Sequence, residues 1–330
     1  MKNYNFYFII LFVLFCFFLW QGIYLAKNPA EKESKIFSIK KGESVFQIAK
    51  NLEEEGLIKN RWYFDIYTFL KGKEKRLQAG EYLLSQSLNV AEIVKKIVSG
   101  QTAKEKITII EGWNLNDTAK YLTEKGFSAE EFLELTNKDF SGQFDFLKDK
   151  PKNLSLEGYL FPDTYEINKK EELEKLILKI LENFEQKLNS QLKKDIFLQG
   201  KKIFEIVTMA SLIEKEVQTL DDKKIVSGIL WKRIKEGIPL QVDATITYIT
   251  GQKTTKISIE DTQIDSSYNT YKNRGLPMGP ISNPGIESII AAIYPKESDY
   301  FYYLSTPEGK TIFSKTLQEH NLAKAKYLKP

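Results

Sequence analysis

The sequence is short of the side chains that metal and nucleophile chemistry usually recruit. In 330 residues there is one cysteine, Cys16, and one histidine, His320. A lone cysteine excludes an intrachain disulfide and every cysteine-based zinc site. A lone histidine excludes the HExxH helix and His-rich metal centres. A Ser-His-Asp triad would have to use His320, and no G-x-S-x-G elbow accompanies it. There is no Walker loop and no G-x-G-x-x-G, so nucleotide chemistry is not expected. No long basic block stands out: the 48 Lys+Arg and 44 Asp+Glu are interspersed, which argues against a nucleic-acid partner. No metal and no cofactor is expected.

What the chain has in excess is apolar sequence at its start, "MKNYNFYFIILFVLFCFFLWQGIYLA". No charge appears between Lys2 and Lys27. About two dozen helical residues cover a hydrocarbon core of roughly 30 Å. Tyr4, Phe6 and Tyr7 at one end, and Trp20 and Tyr24 at the other, resemble interfacial aromatic belts. The stretch therefore reads as a single-pass anchor, residues 5–26, with residues 1–4 cytoplasmic. A cleaved signal peptide is the rival; it would have a shorter apolar core and end in small residues. Lys2 and the free N-terminus favour a cytoplasmic start, although Lys27 follows closely on the other side. Cys16 reads as a lipid-facing or packing residue.

Residues 27–36 are polar and read as a tether. "FSIKKGESVFQIAKNLEEEGLI" gives a short strand, a Gly42 turn and a helix N-capped by Ser44. "NRWYFDIYTFLKG" is a second helix, "LQAGEYLLS" a returning strand, and "NVAEIVKKIVSG" an amphipathic helix stopped by Gly100. The "FSIKKGESVFQIA" start is similar to that of a LysM-type module, a family that binds N-acetylglucosamine-containing glycans. The resemblance implies a LysM-like module at 37–102; a plain spacer is the alternative. A larger domain is expected at 103–330. It opens with a strand at Ile107 and Ile109, a Glu111-Gly112 turn and a helix from Asn116. A loop follows near 140–155, then "SLEGYLFPDTYEI" as a further loop. "EELEKLILKILENFEQKLNSQLKK" is one long charged helix. "LQVDATITY" reads as a strand that carries Gln241, Asp243 and Thr245 on one side. The fold class is thus α+β: an N-terminal transmembrane helix, a small module and a mixed helix/strand domain.

The chemistry centres on "VTMASLIEKEVQ", an apolar helix that acquires Glu214 and Glu216 near its end. Residues three and four back share a face. Behind Glu216 lie Ile213, Leu212 and Met209; behind Glu214 lie Ser211, Ala210 and Val207. Apolar surroundings disfavour the ionised carboxyl and raise its pKa, which would let Glu216 donate a proton near neutral pH. Periodicity alone favours a wet, frayed helix end paired with Lys215 or Lys202. Three polar-aromatic segments shift the balance toward a polysaccharide site. They carry Glu157, Tyr159 and Asp163, then Gln241 and Asp243, then Tyr268, Asn269 and Tyr271.

"TMASLIEKE", "LEGYLFPDTY", "LQVDATITY", "YNTYKNRGLPMGPISNPG" and "FSKTLQEHN" resemble, in order, the signature segments of MltG, the YceG-like endolytic murein transglycosylases. The resemblance covers nearly the whole chain. It implies Glu216 as the catalytic residue. Within these segments Glu157, Tyr159, Asp163, Gln241, Asp243, Tyr268, Asn269 and Tyr271 are candidate substrate contacts, with Glu214, His320 and Asn321 in support. Glu157 and Asp163 could instead merely cap their loop, and His320 is better read as a structural hydrogen-bonding group than as a proton carrier. The implied substrate is the glycan of nascent peptidoglycan, cut within the strand so as to terminate its growth. The implied partners are cell-wall synthases (penicillin-binding proteins). The implied location is a bacterial inner membrane, with the C-terminal part periplasmic or extracellular. The rival readings are a hydrolytic muramidase using Glu216 with Asp243, and a membrane-anchored glycan-binding scaffold without activity.

Overall fold

The computed structural model describes residues 3–102, 104–168, 173–252 and 257–328. The expected starts of the larger domain at 103 and of the long helix at 171 lie outside the described residues, as do residues 1 and 2. The chain divides into two compact units. One runs to Glu105 and takes back a short stretch from Glu166; the other holds Lys106–Tyr165 and the remainder.

In the first unit, α1 (Asn3–Tyr24) is the one described helix long and apolar enough to cross a membrane. Its side chains from Phe6 to Phe18 are exposed. Its end is seated firmly: Ile23 is buried, and a Cβ on Gly22 would fall 2.2 Å from the Tyr63 ring, so only glycine allows this approach. The rest of the unit is β1 (Lys35–Ile39), α2 (Val45–Glu54), α3 (Arg61–Leu70), β2 (Gly80–Leu84) and α4 (Val90–Val98). β1 and β2 pair antiparallel, Phe37 opposite Tyr82. The elements begin where the sequence signals them. Ser44, Asn60 and Asn89 each accept a backbone N–H of the helix that follows, and Gly42, Gly72 and Gly100 all have positive φ. Phe37, Ile48, Leu52, Phe64, Tyr82 and Ile93 form its core.

The second unit contains most of β3 (Lys104–Thr108), then α5 (Leu115–Glu124), α6 (Ala129–Thr136), the first two residues of β4 (Thr164–Asn168), α7 (Leu173–Lys187), α8 (Ser190–Leu198), α9 (Ile203–Glu216), α10 (Leu220–Lys235), α11 (Asp243–Thr250), α12 (Ile286–Ile293), β5 (Tyr302–Ser305), β6 (Thr311–Ser314) and α13 (Leu317–Tyr327). β3 pairs with β4, and β5 pairs antiparallel with β6. The mixed α+β class matches expectation. α9 is the buried centre, packed against α12, α10, α11 and α8. Residues Ile206–Ile213 are all buried, which is why that stretch reads as apolar all round.

Three expectations need correction. The long charged helix is two helices, because Asn189 adopts extended backbone and its side chain accepts the Leu192 N–H, capping a new start. Part of the "SLEGYLFPDTYEI" loop is strand β4. "LQVDATITY" is not a strand: Asp243–Thr250 is helix α11. Its β-branched residues favour a strand, but tertiary bonds override that preference. The Val242 N–H donates to Thr270 Oγ1 at 3.0 Å, and Thr245 Oγ1 meets the same hydroxyl at 3.1 Å. Thr245 is consequently buried while Gln241 and Asp243 are exposed, so the three do not share a face.

Candidate active site

Helix α9 ends at Glu216, and what surrounds that side chain comes from other elements. The Tyr303 hydroxyl on β5 and the Ala244 N–H in the first turn of α11 both face its carboxylate and favour its ionised form. Ser305, also on β5, donates to the Glu216 carbonyl at 3.1 Å and fixes the helix end. Burial pushes the Glu216 carboxyl up to about 7, and the nearby Asp243 charge adds to that rise, while the Tyr303 and Ala244 donors work against it. The opposing effects leave both protonation states accessible near neutral pH, as a group that must first give and then take a proton requires. The side chain is only half-buried, so a ligand can reach it.

Asp243 is the first residue of α11, where a helix start favours an acid. Its Oδ1 accepts a short hydrogen bond from Tyr271. Burial, with Asp243 and Glu216 close by, holds the Tyr271 hydroxyl well above the usual phenol range. Behind these residues lies Arg233 of α10, itself buried. Its Nη2 donates to Gln241 Oε1 at 2.7 Å, its Nε to the Pro239 carbonyl at 3.0 Å, and its guanidinium lies 5.6 Å from the centre of the Tyr302 ring. Gln241 has φ 53°, the only non-glycine residue with positive φ among the described residues. For an L-residue that conformation costs about 1–2 kcal/mol, here offset by the Arg233 bond and by a bond from its N–H to the Thr270 carbonyl at 3.1 Å. The turn at Gln241 aims the start of α11 at Glu216.

A model of the YceG-like family matches residues 37–326. This chain belongs to the YceG-like family. It is 35% identical over 322 residues to the endolytic murein transglycosylase of Bacillus subtilis strain 168, covering 91% of this chain and 88% of that protein. It is 30% identical to the endolytic murein transglycosylase of Streptococcus pneumoniae strain D39, covering 95% of this chain and 64% of that longer protein. A crystal structure of a yceG-like protein from Listeria monocytogenes superposes with a TM-score of 0.61 at 33% identity, over 89% of this chain and all of that one.

The structure thus brings Glu216, Asp243, Tyr271 and Gln241 together. Other residues of this YceG-like chain fall elsewhere. Glu214 does not pair with Lys215 or Lys202. It is buried against Lys223 at 3.4 Å, and it also accepts the Gly285 N–H at 3.0 Å and the Ser288 hydroxyl at 2.7 Å. Glu111 presses on Gly285 so closely that a Cβ would sit 2.0 Å from its Oε1. Glu214 therefore locks the start of α12 in place. Glu157 is buried; its Oε2 accepts the Leu115 N–H at the start of α5 (3.1 Å) and the Tyr248 hydroxyl (3.5 Å), and burial pushes its carboxyl up to about 8. Tyr268 contacts the Tyr248 ring, centroids 5.0 Å apart, so it stands beside Glu157 on the α11 side.

Two expected contacts prove structural. Tyr159 is fully buried among Phe146 and Phe184, with ring centroids 6.1 and 5.4 Å away, and offers no surface to a ligand. Asn269 is also fully buried; its amide donates to the Thr262 and Ile264 carbonyls and accepts the Tyr271 N–H, bracing the loop that carries Tyr271. Asp163 accepts from its neighbour Thr164 and from Asn183 of α7, holding β4 against that helix. His320 stacks on Tyr302 at 5.3 Å; burial and the charges of Lys324 and Arg233 lower its pKa, so it is neutral near pH 7 and buttresses β5. Asn321 is exposed on α13.

Sequence reasoning missed Tyr303, Arg233, Thr270 and the Ala244 N–H. "FYYLS" carries an aromatic-rich signal, but nothing local points it at Glu216. The buried Asn283 was also missed. It accepts the Leu160 N–H at 2.9 Å, donates to the Trp113 carbonyl at 3.0 Å, and ties three loops behind the site.

Proposed function

We propose that this protein is an endolytic murein transglycosylase that cuts β-1,4 bonds between N-acetylmuramic acid and N-acetylglucosamine within nascent glycan strands, leaving 1,6-anhydro ends. Protonated Glu216 gives its proton to the glycosidic oxygen as that bond breaks. The carboxylate so formed is held by the Tyr303 hydroxyl and the Ala244 N–H. It then takes the proton of the C6 hydroxyl of the same muramic residue as that oxygen closes on C1. No water enters, and no second carboxylate is needed as nucleophile or base, unlike in ordinary glycosidases. The observation that carries the reading is one carboxyl, poised near pH 7 by burial against two donors.

Gln241, Asp243, Tyr268 and Tyr271 are positioned to contact sugar along α11. The family relatives support the reaction class, and α1 supports anchoring in a bacterial inner membrane with the second unit outside the cytoplasm. Glycan binding by the first unit, as a LysM-like module, and work beside cell-wall synthases complete the proposal.

One observation favours a second reading: Asp243 is near enough to raise the Glu216 pKa, as the paired acids of a hydrolytic muramidase would do. Against it, Asp243 is already engaged by Tyr271. Digestion of uncrosslinked glycan strands with product analysis decides: anhydromuramic ends support transglycosylation, and reducing muramic ends establish hydrolysis. Strands that are bound but never shortened would leave a binding scaffold.

A further inference from the structure

We infer that the groove where the end of α1 meets α3 and α4 binds the anionic phosphate headgroup of a membrane lipid. This rests on the reading of α1 as a membrane anchor. The groove has a volume of about 550 Å³, and Tyr24, Tyr67, Lys71, Lys73, Arg76 and Lys95 are among its lining residues. That is the size of a small-molecule site.

Position, charge and polarity point to the same occupant. Tyr24 ends the apolar span, so the groove opens at the depth where hydrocarbon gives way to headgroups. The seat of Ile23 and the contact of Gly22 with Tyr63 hold it at that depth. Four cations line it, and among the described residues none of them is held by an ion pair or a side-chain hydrogen bond. The lining carboxylate, Glu92, is turned back to its own helix start, where it accepts the Asn89 N–H at 2.9 Å. Unpaired Lys and Arg side chains lining one groove suit a phosphate, which Arg can grip with two N–H groups. Part of the lining is apolar: Tyr24 and Tyr67 meet edge to face, and Val94 and Val98 also line the groove. A free phosphate has no use for that part, whereas the glycerol and upper acyl carbons of a lipid do.

The test uses the full chain in neutral detergent, followed by native mass spectrometry with phosphatidylglycerol, phosphatidylcholine or inorganic phosphate added. The chain should retain one phosphatidylglycerol in preference to phosphatidylcholine, and equimolar inorganic phosphate should not displace it. Each cation removed should weaken this binding about fivefold, the scale of one basic residue at an anionic membrane surface. The Lys71→Gln/Lys73→Gln/Arg76→Gln/Lys95→Gln variant should therefore lose it. A variant with equal charge removed elsewhere, Lys40→Gln/Lys41→Gln/Lys59→Gln/Lys75→Gln, should keep it. If the fourfold variant does not fold, the exposed single changes Arg76→Gln and Lys95→Gln carry the same expectation. Equal binding of both lipids, equal loss in both variants, or displacement by inorganic phosphate overturns the inference. Alkaline carbonate extraction of membranes separates the two readings. A chain that stays in the pellet but shows no phosphatidylglycerol preference defeats the groove alone. A chain released to the supernatant defeats the anchor, and the inference falls with it.

Discussion

Glu214 and Glu216 leave the same helix two residues apart, and each faces the start of another helix: Glu214 meets α12 at Gly285, and Glu216 meets α11 at Ala244. The difference lies in what else is there. Glu214 has the buried Lys223 ammonium and a serine hydroxyl, so its charge is fully compensated and its role is to hold α12. Among the described residues no cation sets the charge of Glu216; a phenol and one backbone N–H compensate part of it, burial opposes the rest, and Asp243 adds repulsion. Two donors and no cation leave a proton that can move. Two donors and a lysine make a structural pin. The comparison teaches that a buried carboxylate is chemically available only where its compensation is incomplete.

Exchanging the side chains is the strongest way to break this contrast. Glu216→Gln should lower strand cleavage by about a thousandfold, within the usual range for a general acid–base, as read by release of glycan fragments. Its melting temperature at pH 8 should equal or exceed that of the native chain, because the raised pKa of Glu216 costs stability as pH climbs from about 4.5 to about 7, and that cost is fully present at pH 8. Cleavage at full speed in this variant would leave the contrast without content.

Glu214→Ala should act on stability instead. Removing one partner leaves Lys223 buried and unpaired, a loss of about 3 kcal/mol, measurable by denaturant unfolding. At temperatures where the variant is folded, it should still cut strands and give the native products. A smaller effect tests the donors: Tyr303→Phe should slow cleavage about tenfold, the scale of a hydrogen bond to a charged group. Its pH profile gives the sign. Cleavage needs protonated Glu216 and should decline as pH rises through about 7. Tyr303 favours the ionised form, so without it that decline should move to higher pH. A profile that moves down, or not at all, would put the tyrosine elsewhere in the mechanism. At the bottom of the scale, Asn321→Ala on exposed α13 should leave activity unchanged and stability within about 0.5 kcal/mol.

Much of the first unit was legible because its signals are local: a cap, a glycine stop and one apolar face per helix. The second unit was less so. Asn189 is an ordinary residue inside a helical pattern until its side chain caps a new start. The run Asp243–Thr250 is β-branched and reads as strand until Thr270, distant in sequence, holds it as a helix. At the site, the choice of Glu216 as the proposed proton carrier rests on the family motif, and the apolar residues behind it on α9 gave the right direction of pKa shift for an incomplete reason. Its environment is Tyr303 and the start of α11 rather than Met209 and Ile213. Tyr159 and Asn269 show the converse: a motif rich in aromatics and amides does not say which of its members face a ligand and which face the core.

The sequence by itself determined the family, through five motifs in order, while one cysteine, one histidine and no nucleotide loop excluded several other chemistries. It also determined the apolar N-terminal span and the order of the motifs. Which of two neighbouring glutamates holds a mobile proton was decided only in three dimensions. A carboxyl's pKa follows from the donors, charges and solvent around it, and at Glu216 these come from β5 and α11, brought together only when the chain folds.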